Sequence, residues 1–395
     1  MKKIVSILLL FTIFISVEAQ TKDSVKLDSL TFTTIQKNAI TSIKNQSHSG
    51  TCWAYSGLGY FESELLRLGK GEHELSRMFI VRHTYMDRAI NYVRFHGDAP
   101  LGQGGSFYDI VYGIKNYGIV PQEVYSGLAT GDSLPDFSEL EPVMTGYIKG
   151  LIESKNKKLS NVWEKGYEGI LDAYFGKTPE EFTYKGKKYT PKTYAEELGL
   201  KLDDYVSLTS YSHHPFYSQF SLEIQDNWRQ EQSYNLPIDE LMQTMDYAVR
   251  NGFTFAWGSD VSETGFNRKG LAVISGEEKV KDVKGSDAAN WLGLSEGERQ
   301  KKVDSKQATF AITQEMRQKA FDNWETTDDH GMVIFGLAKD QLGREYYMVK
   351  NSWGERGDYK GIWYASKPFV AYKTMNILIN KNAIPKDIRK KLGIK

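Results

Sequence analysis

The chain has 395 residues, 40% of them hydrophobic and 13% aromatic, enough apolar material for a large buried core. Its 50 basic and 50 acidic residues cancel, which argues against an electrostatic footprint for nucleic acid or an anionic membrane. A single cysteine, Cys52, excludes an intrachain disulfide framework.

Met1-Lys2-Lys3 is a short basic start, Ile4 to Val17 an almost unbroken apolar run, and Val17-Glu18-Ala19 precedes Gln20. That order is the order of a secretory signal peptide, so residues 1–19 are expected to be removed and the protein to be secreted or periplasmic. The run is short for a membrane span, and an uncleaved anchor is the alternative. No later apolar stretch is long enough to cross a bilayer, so no stable membrane insertion is expected after cleavage. In an oxidising compartment an unpaired thiol is a liability. Retention of Cys52 therefore points to reactivity, against the alternative of a small buried hydrophobe.

Gln46-Ser47-His48-Ser49-Gly50-Thr51 is small, polar and turn-forming, and Trp53, Leu58, Phe61, Leu65 and Leu68 then recur at near-helical spacing up to Gly69. Cys52 is thus placed at a loop-to-helix junction. Free N–H groups and the positive end of the helix dipole stabilise an anion there, which should lower the thiol pKa. Glu74-Leu75-Ser76 follows, and Gly102-Gln103-Gly104-Gly105-Ser106 precedes a helix expected over Phe107 to Tyr117. From about Met144 to Arg250 the pattern is mostly helical and polar, with lysine-rich loops at 155–158 and 185–188, and Leu236-Pro237-Ile238-Asp239 opens a helix to Val249. A strand is expected over Gly252 to Trp257, and a charged surface loop-helix over Gly276 to Lys306.

Asp328-Asp329-His330 heads an apolar, strand-like run, and Arg344 to Lys350 reads as the next strand after a turn at Asp340 to Gly343. That strand runs directly into Asn351-Ser352-Trp353-Gly354. A carboxamide at Asn351 is suited to accept the His330 N–H and fix its tautomer and ring plane, with Trp353 shielding the bond. Near the C-terminus, Pro385 to Leu392 reads as a short helix.

Ser49-Gly50-Thr51-Cys52-Trp53 resembles the cysteine signature of the papain superfamily, although the first Cys and the small residue of that signature are absent. Gln46, six residues ahead, stands where that family places its oxyanion-hole glutamine, and Asn-Ser-Trp-Gly downstream of a histidine resembles its other half. The resemblance implies an α+β, papain-like fold: a helical left domain with the nucleophile helix, and a β-barrel-like right domain. It implies catalysis by Cys52, His330, Asn351 and Gln46, and a peptide cleft walled by Gly104, Gly105, Trp53 and Trp353. No cofactor and no metal is expected: His213-His214-Pro215 suggests a metal site, but no paired Cys or carboxylate spacing completes it.

Cys52 and His330 are 278 residues apart (330 − 52), where a plain papain domain needs about 130–150. The excess resembles the helical insertion of the bleomycin hydrolase and aminopeptidase C branch. The expected division is residues 20–143 for the Cys half, 144–250 for a mainly helical insertion, 251–380 for the His/Asn β half and 381–395 for a C-terminal tail. The branch implies an aminopeptidase acting on peptides, assembled as a homo-hexamer. In it a C-terminal arm lies in the cleft and meets the substrate's free amine. Alternatives are a papain-like endopeptidase and a non-catalytic peptide-binding scaffold.

Overall fold

The computed structural model describes residues 30–155, 158–263, 265–274 and 311–395. The expected signal segment, the charged excursion Gly276 to Lys306 and part of the 155–158 loop lie outside the described residues.

A first strand β1 (Phe32–Lys37) leads to three helices, α1 (Cys52–Arg67), α2 (Arg77–Arg94) and α3 (Phe107–Tyr117). Helix α1 is buried on nearly every side from Cys52 to Leu65, as expected of a helix at the centre of a fold rather than on its surface. Two glycines make this possible: a Cβ at Gly57 would sit 2.6 Å from Ile110 Cγ1, and Gly59 faces Lys350 and Val333. Helix α3 carries a capping box in which Asp109 accepts the backbone N–H of Ser106 at 2.8 Å.

The long central stretch departs from expectation in its second half. Its first half is helical, with α4 (Leu140–Ile152), α5 (Val162–Phe175) and α6 (Pro191–Leu198) packed on α1 to α3 in one apolar cluster. The lysine-rich 185–188 stretch is not a plain loop: it turns a hairpin between β2 (Phe182–Tyr184) and β3 (Lys187–Tyr189), with Lys185 and Gly186 both at positive φ. Beyond it come strands β4 (Tyr205–Thr209), β5 (Gln219–Ser221) and β6 (Gln232–Asn235), then α7 (Ile238–Arg250). Short strands interrupted by polar residues carry little periodic signal, which is why this part reads as helix and loop in the sequence.

The remaining strands are β7 (Phe255–Ser259), β8 (Phe266–Asn267), β9 (Leu271–Ala272), β10 (His330–Asp340), β11 (Glu345–Lys350), β12 (Ile362–Ser366) and β13 (Thr374–Asn380). Helices α8 (Gln314–Asp322), α9 (Lys367–Lys373) and α10 (Lys386–Lys391) lie between and after them. Among the described residues the strands other than the β2–β3 hairpin form one sheet in the order β5-β6-β4-β13-β7-β10-β11-β12-β9-β8, with β1 also on β10. This sheet makes up the β half of the fold, and three of its strands, β4, β5 and β6, come from the stretch expected to be a mainly helical insertion. Its core of Trp257, Ile334, Tyr347, Val349 and Trp363 is separate from the helical core.

The two halves meet where α1 lies across the start of β10. A Cβ at Gly331 would fall 2.6 Å from Ser56 Oγ and 3.1 Å from Phe107 Cε1. Gly331→Ala is therefore expected to cost about 1–3 kcal/mol by overpacking, read as a lower melting temperature. Gly146→Ala, on the open side of α4 with nothing within 4 Å, should leave it unchanged or slightly higher.

Candidate active site

Helix α1 begins at Cys52 without a side-chain cap: Thr51 supplies only its carbonyl, to Ala54 N at 2.9 Å and Tyr55 N at 3.1 Å. The helix's first N–H groups are thus directed at the loop before it. Strand β10 begins at His330, which pairs in register with Ser259 of β7. One cleft is lined by both Cys52 and His330, together with Trp53, Gly105, Ser106, Phe107, Gly331 and Asn376.

His330 Nε2 is 2.8 Å from Asn351 Oδ1, so the imidazole donates from Nε2. That leaves Nδ1 buried and without a hydrogen-bond partner among the described residues. Trp353 stacks on the imidazole at 4.7 Å and 29°, and Trp363 and Phe266 meet Trp353 edge-on. Trp353 and the rings behind it thus cover one side of the His330–Asn351 bond.

Gln46 is fully buried and ties the two halves together. Its backbone N–H donates to Ser352 O at 2.8 Å, its Oε1 accepts from Ser352 Oγ at 2.5 Å, and its Nε2 donates to Ser49 O at 2.8 Å. One amide hydrogen is thereby committed to the loop before Cys52. Trp53 donates from Nε1 to Gln103 O at 3.0 Å, and a Cβ at Gly105 would lie 2.8 Å from its ring. Gly105 is a glycine because Trp53 fills the space a side chain would need. Gly104 accepts from the Arg88 guanidinium and is not among the cleft-lining residues, nor is Gln46 or Trp353.

A buried charge network fixes the frame. Glu62 on α1 accepts from Thr41 Oγ1 at 2.6 Å and Leu75 N at 2.9 Å and pairs with Arg77 at 2.7 Å. Lys350, next to Asn351, donates to Thr41 Oγ1 at 2.8 Å. Burial lowers the Lys350 ammonium to about 8. The residue before Asn351 is thus held to the nucleophile helix through one hydroxyl.

The lowering of the thiol pKa expected at the helix start is opposed by the surroundings of the thiol. Burial pushes the Cys52 thiol up; the N–H groups of Gly331 and Trp53 pull the other way, and Asp226 and Asp328 add to the rise. Burial lowers His330 to about 4, opposed by its bond to Asn351. Burial thus works against the lone charged form of each group.

Asp226, Ile224 and Asp328 also line this cleft, and sequence reasoning missed them. Asp328 directly precedes Asp329-His330, which is a usable signal; Asp226 lies deep in the insertion, with none. The two adjacent aspartates differ. Asp329 points inward and accepts from Val261 N, Ser262 N and Thr327 Oγ1 at 3.0–3.2 Å. Asp328 has its Oδ2 buried without a hydrogen-bond partner among the described residues. Its carboxyl is raised well above the usual range, by burial first and then by Asp226. The Asp226 segment crosses from β5 to the helical half, where Arg229 pairs with Asp109 and Asp87 at 2.6 Å each and Trp228 Nε1 donates to Asp109 at 3.2 Å.

The other missed group is on the surface. His213 and His214 do have a carboxylate partner: Glu223, ten and nine residues on, meets both rings. The chain reversal through β5 creates the proximity that linear spacing hides. The C-terminal tail packs beside α7. Ile388 and Leu392 are buried in the sheet core, and Lys391 pairs with Glu240 at 2.6 Å.

The model of the Peptidase C1-like family matches residues 13–284 and 284–394. The chain belongs to that family. As a Peptidase C1-like protein it is similar to the aminopeptidase C of Streptococcus thermophilus, 23% identical over 388 residues covering 86% of this chain and 80% of that protein. The aminopeptidase C of Lactobacillus helveticus is 24% identical over 395 residues, covering 88% and 81%. Among solved structures, PepW from Lactobacillus rhamnosis HN001 superposes with a TM-score of 0.67 at 20% identity, covering 91% of this chain and 84% of that one. That likeness shows the fold, a mixed α+β architecture of helices and a large sheet.

Proposed function

We propose that this protein is a cysteine aminopeptidase of the bleomycin hydrolase type, with Cys52 as nucleophile and His330 as its base. The observation that carries the reading is the 2.8 Å His330 Nε2–Asn351 Oδ1 bond, which leaves Nδ1 for Cys52 in a shared cleft. The Cys52 proton passes to His330 Nδ1 as sulfur attacks the scissile carbonyl carbon. The two ions stabilise each other although neither is favoured alone. The oxyanion receives the Cys52 N–H and the Gln46 amide hydrogen not bound to Ser49. The tetrahedral adduct then collapses, the C–N bond breaks, and the leaving amine takes the proton from His330. Water, losing its proton to His330, hydrolyses the thioester and regenerates the thiol.

Aminopeptidase rather than endopeptidase action is supported by the relatives' activity and by the two carboxylates in the cleft, which suit a free α-ammonium. The test is one peptide with a free amine beside its N-acetylated twin: stepwise release of the first residue from the free form alone is expected, and internal cleavage of the acetylated form contradicts the reading. Gln46→Ala is expected to lower turnover about 10²–10³-fold, as for loss of one oxyanion donor, with substrate KM little changed in steady-state assays.

Export through residues 1–19 and assembly as a hexamer complete the proposal. The basic start and apolar run support the first, and the likeness to the aminopeptidase branch the second. N-terminal sequencing of protein recovered outside the cytoplasm, expected to begin near Gln20, tests export; the particle mass in solution tests assembly.

A further inference from the structure

The turn after β4 and the segment after β5 bring three donor atoms together. His213 Nε2 is 3.1 Å from Glu223 Oε2, and His214 Nε2 is 2.9 Å from Glu223 Oε1. All three side chains have a ligating atom within 4.8 Å of the others. Around a tetrahedral ion with bonds of about 2.1 Å, neighbouring donor atoms stand about 3.4 Å apart. The two imidazole–carboxylate separations are a few tenths of an ångström shorter than that, and the two imidazoles lie within 4.8 Å of each other.

The surroundings hold the rings as ligands are held. Gln318 on α8 has its Oε1 fixed by the backbone N–H groups of Ser212 at 2.6 Å and His213 at 3.2 Å. The same oxygen is 3.2 Å from His213 Nδ1. Gln318 Nε2 is 3.0 Å from the same Nδ1, so the Gln318 amide holds the His213 ring on the side away from Glu223. The His213 ring stacks on Phe321 at 17° and the His214 ring on Phe220 at 21°, so neither swings freely. Partial exposure of all three residues leaves a fourth position open to water.

We infer that His213, His214 and Glu223 form a surface site for a divalent transition ion of the zinc class. Two imidazoles and one carboxylate select against calcium and magnesium, which take oxygen-rich shells. The site is coupled to the cleft through the residues just beyond Glu223. Ile224 is the next residue and Asp226 comes two further on, and both line the cleft with Cys52. A bound ion would tie that segment to the 211–215 turn and, through Gln318, to α8, fixing one wall of the cleft from outside.

The test uses untagged full chain carrying Cys52→Ala, which removes the thiol as a competing zinc ligand. Equilibrium dialysis against Zn²⁺ should give one ion per chain, and the melting temperature should rise with zinc but not with Ca²⁺ or Mg²⁺. Glu223→Gln and, separately, His214→Asn in the same background should bind no zinc while melting near the parent in its absence. Failure of the parent to bind zinc overturns the site. So does undiminished stoichiometry in both variants, which would place the ion elsewhere. Should one variant fail to fold, the other decides.

Discussion

Cys52→Ala is expected to remove peptide hydrolysis, by roughly 10⁴-fold or more, and to leave the melting temperature close to the parent's. Cys52 is buried at the head of α1, and the substitution deletes one sulfur without adding bulk. Iodoacetamide should label the parent at Cys52 and leave the variant unlabelled, since the chain has no other thiol. His330→Ala should match the loss, and the double variant should be no worse than either single, because the two act as one proton-transfer unit. Asn351→Ala should be milder. Its Oδ1 accepts from His330 Nε2 at 2.8 Å and from Ser352 N at 2.7 Å, so it orients a base that retains some function when unoriented. Equal loss in the Asn351 and His330 variants would recast Asn351 as a structural residue, and normal turnover by Cys52→Ala would falsify the assignment of the nucleophile.

The layout of the candidate site was legible because each part carries a local signal. Small polar residues before Cys52 announce the helix start, an apolar run after His330 announces a strand, and Asn-Ser-Trp-Gly follows another. These are properties of neighbouring residues, and the structure places α1 at Cys52 and β10 at His330. The environment of the same groups was not legible. A helix N-terminus argues for a low thiol pKa, but how deeply Cys52 is buried, and which carboxylates face it, depends on packing between segments far apart in the chain. Asp226 and Glu223 belong to this second kind. They acquire meaning only because β4, β5 and β6 join the main sheet beside β13, in a stretch whose short strands look like loop. The C-terminal segment shows the same division. Its helix is readable over Pro385 to Leu392, yet its docking beside α7 through Ile388 and Leu392 depends on the sheet core beneath it.

Asp328→Asn and Asp226→Asn are expected to lower kcat/KM for a free-amine peptide by roughly 30-fold or more each, and to spare or improve cleavage of its N-acetylated twin. An aminopeptidase must offer negative charge where the substrate's α-ammonium lies. Residues 381–395 are not among those lining the cleft, whereas these two carboxylates are. Asp328 is held by its neighbours in a state ready for a cation. Burial and the charge of Asp226 raise its carboxyl, and its Oδ2 has no hydrogen-bond donor among the described residues. An ammonium entering beside it supplies both the charge and the donors, so Asp328 Oδ2 gains on binding what it lacks when empty. Removing one partner of such a desolvated charge pair costs about 2–5 kcal/mol, which sets the size of the expected loss. Asparagine keeps the shape and the hydrogen-bonding capacity, so the variants separate charge from packing. The Asp226 side is further secured because Trp228 and Arg229, two and three residues on, hold the segment to Asp109 at the start of α3. The decisive readout is the ratio of the two substrates. If both peptides lose rate equally in both variants, the carboxylates support the fold of the cleft and do not select the amine. If the parent cuts the acetylated peptide internally as fast as it trims the free one, the protein is an endopeptidase and the acidic pair has another role.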